Sequence, residues 1–342
     1  MADARAISTA ELSSFVTENF MPLVPSQVAL GSAALYRLTK ASKYATQGGK
    51  YLSQDIIIAE NPAKGSYRGA QNLVIDQGEL FTNETWNWKQ VYVSMFIDGY
   101  TEITTDSKNA AFDYVKKVMK VSVDSLKGLL NWYLLLSDGT GNPDDAGVGK
   151  DPEGLPRLIS SGLCGNGNVA ANSTTGWIAY TNTSAISGYK TVVLDNLDSE
   201  YEECVYEDRE PDMLLCGVPS FKAIWRGFQN LVQYPMTQAK DLAAIGVRNF
   251  MFNKAAVVKD RYMDKKEGAF VAQTTTTRPL LWLHTPSLHL VIHSKRGMTW
   301  TGFKEPYDMD AAAAQIFLAL NNTCSERRVN GYNSSFNPIA SS

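Results

Sequence analysis

The residues best suited to chemistry in this chain are its three histidines, which stand within one short segment. Imidazole nitrogens bind zinc and act as general acids and bases near neutral pH. His289 and His293 would share one face of a strand from Leu288 to His293, but residues four apart on a strand are separated by about 13 Å. That distance is too large for one shared metal ion. A Ser-His-Asp arrangement would require a cleft around His284 to His293, and this leaves an enzyme open as the less favoured alternative.

A second candidate for chemistry is an acidic run that could in principle hold divalent cations, as in metal-dependent nucleases. It comprises Glu200, Glu202, Glu203, Glu207, Asp208 and Glu210. The spacing of these residues does not place carboxylates where two metal ions would need them, so a solvated helix face is favoured. The stretch from Gly147 to Lys150 is similar to a phosphate loop, but Asp144 and Asp151 replace the glycine and the Ser or Thr that such a loop needs. The sequence therefore predicts a protein without catalytic residues, cofactor or metal.

Composition excludes several further classes of protein. The 342 residues are 44% hydrophobic and carry a net charge of −3, so no global basic field attracts nucleic acid and any contact with DNA should be weak or local. The four cysteines are scattered without a CxxC pair, which indicates free thiols rather than a disulfide framework or a zinc site. No signal peptide and no run of eighteen apolar residues is present. We therefore expect a soluble protein made in the cytoplasm, without a membrane partner.

The element that organises the chain is a helix predicted from Thr104 to Leu136, about 45–50 Å long. Its predicted buried stripe consists of Ala111, Val115, Val118, Ser122, Leu126, Leu129, Tyr133 and Leu136. The opposite, polar stripe consists of Asp113, Lys117, Lys120, Asp124, Lys127 and Asn131. Thr105 or Asp106 would cap its start, and Asp113 would pair with Lys117. A helix of this length belongs to an extended molecule.

Two segments before this helix are predicted to pack on something else. Residues 1–43 form an arm with helices at about 1–24 and 27–39. Residues 51–97 form a flap, in which a strand from Tyr51 to Ala59 is paired by a returning strand from Lys89 to Ile97. About thirty connecting residues are rich in Gly, Asn, Pro and aromatics, which argues against both a tight turn and disorder. We expect their aromatic side chains to be buried on a neighbouring surface. The arm would pack on its own body or on a neighbour, and in an assembled protein the arm and the flap are expected to gain their apolar burial only on neighbouring subunits.

The rest of the chain mixes helices and strands without regular βαβ alternation, which indicates an α+β fold. Helices are predicted at about 191–206, 219–234 and 310–320. Strands are predicted at about 177–180, 212–216, 250–258, 280–293 with an interruption at Thr285-Pro286, and 329–336. No internal repeat is present.

This order of parts resembles the tailed-phage major capsid proteins of the Hong Kong 97 type, and the resemblance covers nearly the whole chain. Its supporting segments are Gly154-Leu-Pro156, Trp88-Lys89-Gln90-Val91, Pro211-Asp-Met-Leu-Leu215, and Asn249 to Val258 followed by Asp260. The resemblance implies an N-terminal arm (1–43), an extended E-loop hairpin (51–97) and a spine helix (104–136). It further implies a peripheral domain (98–154 and 280–325) and an axial domain (155–275 and 326–342).

The resemblance also implies a function and its sites. The chain would be a structural virion protein that assembles as hexamers and pentamers into an icosahedral shell around double-stranded DNA, with a scaffolding protein and a portal as further partners. Intersubunit contacts would come from E-loop residues Tyr67, Arg68, Phe81, Trp86 and Trp88. Lys117, Lys120 and Lys127 would face the interior and touch DNA weakly. The main alternative is the shell of an encapsulin-like cellular nanocompartment that holds a cargo enzyme.

Overall fold

The computed structural model describes residues 9–19, 21, 32–40, 43–45, 49–57, 61–73, 75, 78–100, 108–137, 149–162, 164–169, 177–183, 190–229, 249–264, 278–307 and 310–336. Their helices and strands form two larger sheets and one separate hairpin. The predicted helix cap at Thr105 or Asp106 and the Gly147–Val148 part of the glycine stretch lie outside the described residues. The α+β expectation is confirmed by this mixture of elements.

The first sheet has five strands and is built around its longest one, β12 (Ala311–Cys324). β12 pairs antiparallel with β4 (Lys89–Asp98), β10 (Leu288–His293) and β11 (Thr299–Trp300), while β1 (Lys43–Ala45) pairs parallel with β10. The helix predicted at 310–320 is therefore wrong. Four consecutive alanines favour a helix locally, but long-range pairing on both edges of this segment outweighs that weak preference.

The spine helix (α3) runs from Lys108 to Leu136, a length of about 43 Å for its 29 residues. Its buried stripe is Val115, Met119, Ser122, Val123, Leu126, Leu130, Asn131, Leu134 and Leu135. The predicted stripe is thus rotated: Val118, Leu129 and Tyr133 are only half-buried. Asn131, predicted on the polar face, is fully buried. The helical period alone does not show which of two adjacent rows of apolar side chains is buried, because both rows lie on the same wide apolar face.

The hairpin pairs β2 (Tyr51–Ile57) with β3 (Phe81–Asn87) in a two-stranded sheet of its own. The predicted return strand, Lys89 to Ile97, is instead β4 of the first sheet. Strands β3 and β4 follow each other along the chain and are separated only by Trp88. The sequence pattern predicted β4 but not β3. One face of the hairpin is buried, through Leu52, Ile56, Glu84 and Trp86, and the other face is exposed.

The second sheet has six strands in the order β5, β13, β9, β6, β8, β7. These are β5 (Tyr180–Asn182), β6 (Met213–Cys216), β7 (Asn249–Phe252), β8 (Ala255–Lys259), β9 (Arg278–Leu283) and β13 (Gly331–Phe336). The strand predicted at 250–258 is a hairpin, whose turn contains Asn253 in a left-handed conformation with φ of 48°. The segment from 280 first serves this sheet as β9 and reaches the first sheet only at β10.

Helices α5 (Lys190–Cys204) and α6 (Val218–Gln229) pack with the second sheet around an apolar cluster. Leu197, Phe221, Ile224, Phe250 and Trp282 are among its buried members. The short α4 (Leu155–Leu158) follows Gly154, which no larger residue could replace because a Cβ there would lie 2.4 Å from the Ser137 carbonyl oxygen. Gly154 therefore allows the chain to pass close to the end of the spine helix.

The N-terminal segment contains α1 (Thr9–Asn19) and α2 (Ala33–Lys40), and both pack on their own subunit. Ala34, Leu35 and Leu38 of α2 are buried in the main core. Phe15 of α1 packs on Phe112 of the spine helix, with ring centroids 4.6 Å apart. The expectation that the arm gains apolar burial only on neighbours is therefore wrong for the described part of these helices.

Candidate functional site

Within the histidine segment, the contacts of His293 are local packing and hydrogen-bonding contacts. His293 stacks edge-on against Trp88 at 5.0 Å, and its Nδ1 accepts a hydrogen bond from the Lys295 backbone N–H. Burial lowers the pKa of His284 from its ordinary value, partly opposed by the carboxylates of Asp212 and Glu326. Among the described residues, no three His, Cys, Asp or Glu side chains come together as a metal site.

The pocket beside this segment is mainly apolar. It lies between α2, the spine helix and the first sheet, and is lined mainly by apolar side chains such as Leu35, Leu130, Leu290 and Met298. Leu290 and Ile292 face it from β10. His289 and His293 alternate with them along the strand and are not among its lining residues.

The acidic run divides into an exposed part and one buried carboxylate. Glu202, Glu203, Glu207 and Asp208 are exposed, as expected of a solvated face. Glu200 is buried, and its carboxylate accepts hydrogen bonds from Trp282 Nε1 (3.1 Å), Asn182 Nδ2 (2.8 Å) and Asn333 Nδ2. Burial raises the pKa of Glu200, and these three donors oppose the rise. The carboxylate joins α5 to β5, β9 and β13, so its role is structural.

The exposed part of the hairpin is the main candidate for contact with another subunit. Tyr67 and Phe81 expose 68% and 67% of their surface, and Arg68 is also exposed. Further apolar side chains are exposed nearby, namely Tyr51, Ile57, Leu73 and Ile75. A concentration of exposed large apolar residues in one segment marks an interaction surface. The predicted intersubunit role of Tyr67, Arg68 and Phe81 remains a prediction.

Trp86 and Trp88 are placed differently from the other hairpin residues. Trp86 has no exposed surface and belongs to the main core of its own chain, so it is unavailable to a neighbour and the predicted contact is wrong. Trp88 is half-buried, donates from Nε1 to the Gly49 carbonyl oxygen (3.2 Å) and packs on His293. Aromatic composition alone could not separate these uses, because an indole ring fits an intrasubunit core as well as an interface.

The base of the hairpin is fixed by a buried carboxylate that the sequence analysis did not identify. Glu84 of β3 accepts hydrogen bonds from the backbone N–H groups of Thr85 (3.1 Å), Asn168 (3.2 Å) and Val169 (2.7 Å). The neighbouring loop, residues 164–169, also donates from the Asn166 backbone to the Thr85 carbonyl oxygen (2.8 Å). The signal that could have identified Glu84 is its position in phase with Trp86 on the buried face of an alternating strand.

Next to this base lies a group of partly buried charges. Glu153 follows the spine helix, and its carboxylate lies 3.7 Å from Arg157 Nε and accepts from the Gly165 backbone N–H (3.1 Å). Burial raises the pKa of Glu153, and Arg157 opposes the rise. Burial also lowers the pKa of Lys89, which donates to the Gly149 carbonyl oxygen. Arg327 is fully buried and donates to the backbone carbonyls of residues 158, 160, 162 and 177. Glu153 and Arg327 thus fix α4 and the residues that follow it, while Lys89 joins the start of β4 to Gly149.

The lysine stripe of the spine helix is placed as follows. Lys117 and Lys120 are exposed, and Lys127 is half-buried. The predicted pairing of Asp113 with Lys117 is wrong, because Asp113 Oδ1 lies 3.2 Å from Lys116 Nζ. At this exposure such a pair contributes little to stability. It remains a prediction that these three lysines, Lys117, Lys120 and Lys127, face a shell interior.

The cysteines agree with the expectation of free thiols drawn from their spacing. Cys164, Cys204, Cys216 and Cys324 are all buried free thiols. No helix within the described ranges has both the length and the apolar character that crossing a bilayer requires.

Comparison with protein-family models and with curated protein sequences found no match. Solved structures do match. The capsid of cyanophage A-1(L) has a TM-score of 0.59 and 13% identity, covering 93% of this chain and 94% of that chain. The holo-SrpI encapsulin complex from Synechococcus elongatus PCC 7942 has a TM-score of 0.57 and 10% identity over 89% of both chains. The capsid of a native GTA particle has a TM-score of 0.51 and 8% identity, covering 89% of this chain and 90% of that chain.

At such low identities these matches establish the fold and leave the function to be inferred. They cover nearly the whole of both chains, so the likeness is not that of one shared domain. The resemblance drawn from the order of the sequence elements is therefore confirmed at the level of the fold. The chain has the Hong Kong 97-type fold that phage capsid proteins share with encapsulin.

Proposed function

We propose that this protein is the major subunit of an icosahedral shell that encloses double-stranded DNA. The observation that carries the proposal is the fold, which matches a cyanophage capsid over more than nine-tenths of both chains. The exposed apolar side chains of the hairpin support it further, since such a surface on a folded subunit indicates a partner. In a shell, this partner would be another copy of the same chain within a hexamer or pentamer.

The proposed mechanism of assembly is burial rather than catalysis. The described core is complete around the spine helix and both sheets, while Tyr67, Leu73, Ile75 and Phe81 remain exposed in the free subunit. Covering these side chains with a neighbouring subunit would remove their apolar surface from water, at about 25 cal/mol for each Å². Closed symmetry repeats this gain at every subunit. No enzymatic step is part of the proposal.

The contents of the shell are the finer part of the proposal. The net charge of −3 suits a wall that must not hold a polyanion tightly. In this proposal the exposed Lys117 and Lys120, with the half-buried Lys127, provide weak and non-specific contact with DNA. The particle would be a virion assembled in the host cytoplasm, with a scaffolding protein and a portal as separate partners.

The second candidate is an encapsulin-like nanocompartment. One observation favours it, namely that the holo-SrpI encapsulin complex matches nearly as well as the cyanophage capsid, with TM-scores of 0.57 and 0.59. The two functions differ in what the shell contains. A phage shell takes up DNA through a portal, and a nanocompartment takes up a cargo protein.

The test is to purify the shells and analyse what copurifies. The chain is expressed in the cells that naturally encode it, and particles are isolated by density gradient and treated with nuclease. Protected double-stranded DNA, with no second protein present in proportion to the shell, is the expected result. DNA-free particles that carry a second protein in fixed ratio would establish the nanocompartment instead.

A further inference from the structure

The buried face of the β2–β3 hairpin contains a buried carboxylate, Glu84, among its described residues. Glu84 has no exposed surface, and within the described part of the chain its carboxylate is bonded only to backbone N–H groups. The other buried residues of the hairpin, Leu52, Ile56 and Trp86, belong to the main apolar core. Apolar contacts are non-directional, whereas hydrogen bonds to a carboxylate require a defined geometry. Glu84 is thus suited to fix the orientation of the hairpin.

The loop that holds Glu84 is shaped to receive an anion. Gly165 and Gly167 both have positive φ angles, of 63° and 76°. Backbone N–H groups next to left-handed residues converge and form a concave anion site. Here the Asn168 and Val169 N–H groups point to the Glu84 carboxylate. At Gly165 a Cβ would lie 2.7 Å from the Thr85 carbonyl oxygen and 2.9 Å from Glu84 Oε1, so the loop fits closely around the strand.

The loop also binds the residue that follows Glu84. Thr85 Oγ1 accepts hydrogen bonds from Asn166 Nδ2 (2.9 Å) and Asn168 Nδ2 (2.8 Å). Asn87 Nδ2 donates to Asn166 Oδ1 at 2.9 Å. Since successive residues of a strand point to opposite faces, the loop forms hydrogen bonds with both faces of β3.

The far side of the loop is tied to the rigid part of the subunit. Glu153 accepts from the Gly165 N–H (3.1 Å), and its own backbone N–H donates to Asn321 Oδ1 of β12 (2.9 Å). Asn322 Nδ2 donates to the Glu153 carbonyl oxygen (2.6 Å). A continuous set of hydrogen bonds therefore leads from Glu84 through the loop to the first sheet.

We propose that Glu84 is a positioning residue for assembly, which holds the hairpin in loop 164–169 and thereby sets the direction in which its exposed tip leaves the subunit. The inference rests on the proposed function, because direction matters only if the tip meets another subunit. It extends that function by separating orientation of the hairpin from adhesion at its tip. A shift at the base is enlarged at the tip, so loss of the anchor changes the angle between neighbouring subunits.

The first test measures the anchor in the unassembled full-length subunit by hydrogen–deuterium exchange. Glu84→Gln keeps the shape but removes the charge and one acceptor atom. Exchange in residues 81–87 and 164–169 should become about tenfold faster or more, while the melting temperature changes little. Glu202→Gln is the control, because Glu202 is an exposed carboxylate outside the hairpin, and it should leave exchange in these two segments unchanged. Unchanged exchange in Glu84→Gln would overturn the proposal.

The second test measures the consequence for assembly by electron microscopy. Wild-type protein and Glu202→Gln should form closed shells of one size, while folded Glu84→Gln should form open or variable particles. Closed shells of normal size in Glu84→Gln, despite faster exchange, would show that the anchor does not position the hairpin. A wild type that forms no shells would refute the proposed function, while the exchange result would still report on the anchor.

A second variant applies if Glu84→Gln does not fold. Thr85→Val preserves side-chain volume and removes the oxygen that Asn166 and Asn168 share. The same two segments should exchange faster in this variant, and its particles should vary in size. Wild-type exchange and wild-type particles in Thr85→Val would then overturn the proposal.

Discussion

Leu126 lies in the middle of the spine helix and has no exposed surface. We expect Leu126→Ala to destabilise the unassembled subunit by about 2–5 kcal/mol, because it removes buried methyl groups and leaves a cavity. Lys120→Ala, six residues earlier on the exposed face, should change stability by no more than about 0.5 kcal/mol. Urea unfolding measures both values. Equal unfolding midpoints would show that the orientation of the helix is wrong.

Glu200 should make stability depend on pH in an unusual direction for a carboxylate. Its pKa is raised by burial, so the folded protein binds this proton more tightly than the unfolded chain does. Its contribution to stability is fully present below the unfolded pKa of about 4.3 and decreases as pH rises through the raised folded pKa.

Glu200→Gln tests this direction, because glutamine does not titrate. Between the two pKa values, the free energy of unfolding of the variant should fall less with rising pH than that of the wild type. Urea unfolding of the unassembled subunit from about pH 4.5 to 7 measures this difference. Glu202→Gln, on the exposed side of the same helix, is the control and should keep the wild-type slope. A wild-type slope in Glu200→Gln would contradict the assignment. Glu153, whose pKa is also raised, provides a separate contribution in all three proteins.

At the scale of elements, the spine helix presents its lysines away from the buried stripe. If Lys117, Lys120 and Lys127 face the shell interior, replacing all three with Gln should leave empty-shell assembly intact and weaken DNA retention. The salt dependence of DNA release measures this effect and should become shallower. Loss of assembly by a folded triple variant would show that these lysines form an intersubunit contact.

The tip of the hairpin can be removed without touching its base. The described residues between 61 and 80 are mostly exposed, whereas Glu84 and Trp86 are buried. Replacing residues 61–80 with a short Gly-Ser linker should leave a cooperatively folding subunit that forms no closed shells, because the exposed side chains of Tyr67, Leu73 and Ile75 are gone. Sedimentation velocity separates subunits, capsomers and shells. Complete particles from the shortened chain would exclude the tip from the assembly mechanism.

The accuracy of sequence-based prediction differed between elements for physical reasons. The spine helix was predicted because 29 residues with one period give a strong local signal. β12 was missed because its alanines favour a helix, and only pairing with the distant β4 and β10 makes it a strand. The return strand β3 was missed because Thr82, Asn83 and Glu84 are polar and give no apolar alternation, although the strand alternates in burial.

The candidate site could be predicted only in part from sequence. Exposed aromatic residues such as Tyr67 and Phe81 were correctly located in the flap, but Trp86 of the same segment belongs to the subunit core. Composition does not distinguish these roles, since both surfaces are apolar. Alternation with Trp86 could indicate that Glu84 is buried, but its partners are backbone N–H groups more than eighty residues away, and no local pattern identifies them.

At the scale of the whole molecule, the central claim is that copies of this chain form the wall of a closed shell. Cryo-electron microscopy of the full-length protein, purified from the cells that naturally produce it, tests this claim most directly. The predicted result is closed icosahedral particles in which the exposed residues of each hairpin, including Tyr67 and Phe81, lie on a neighbouring subunit. A monodisperse monomer that remains unassembled at high protein concentration would contradict the claim.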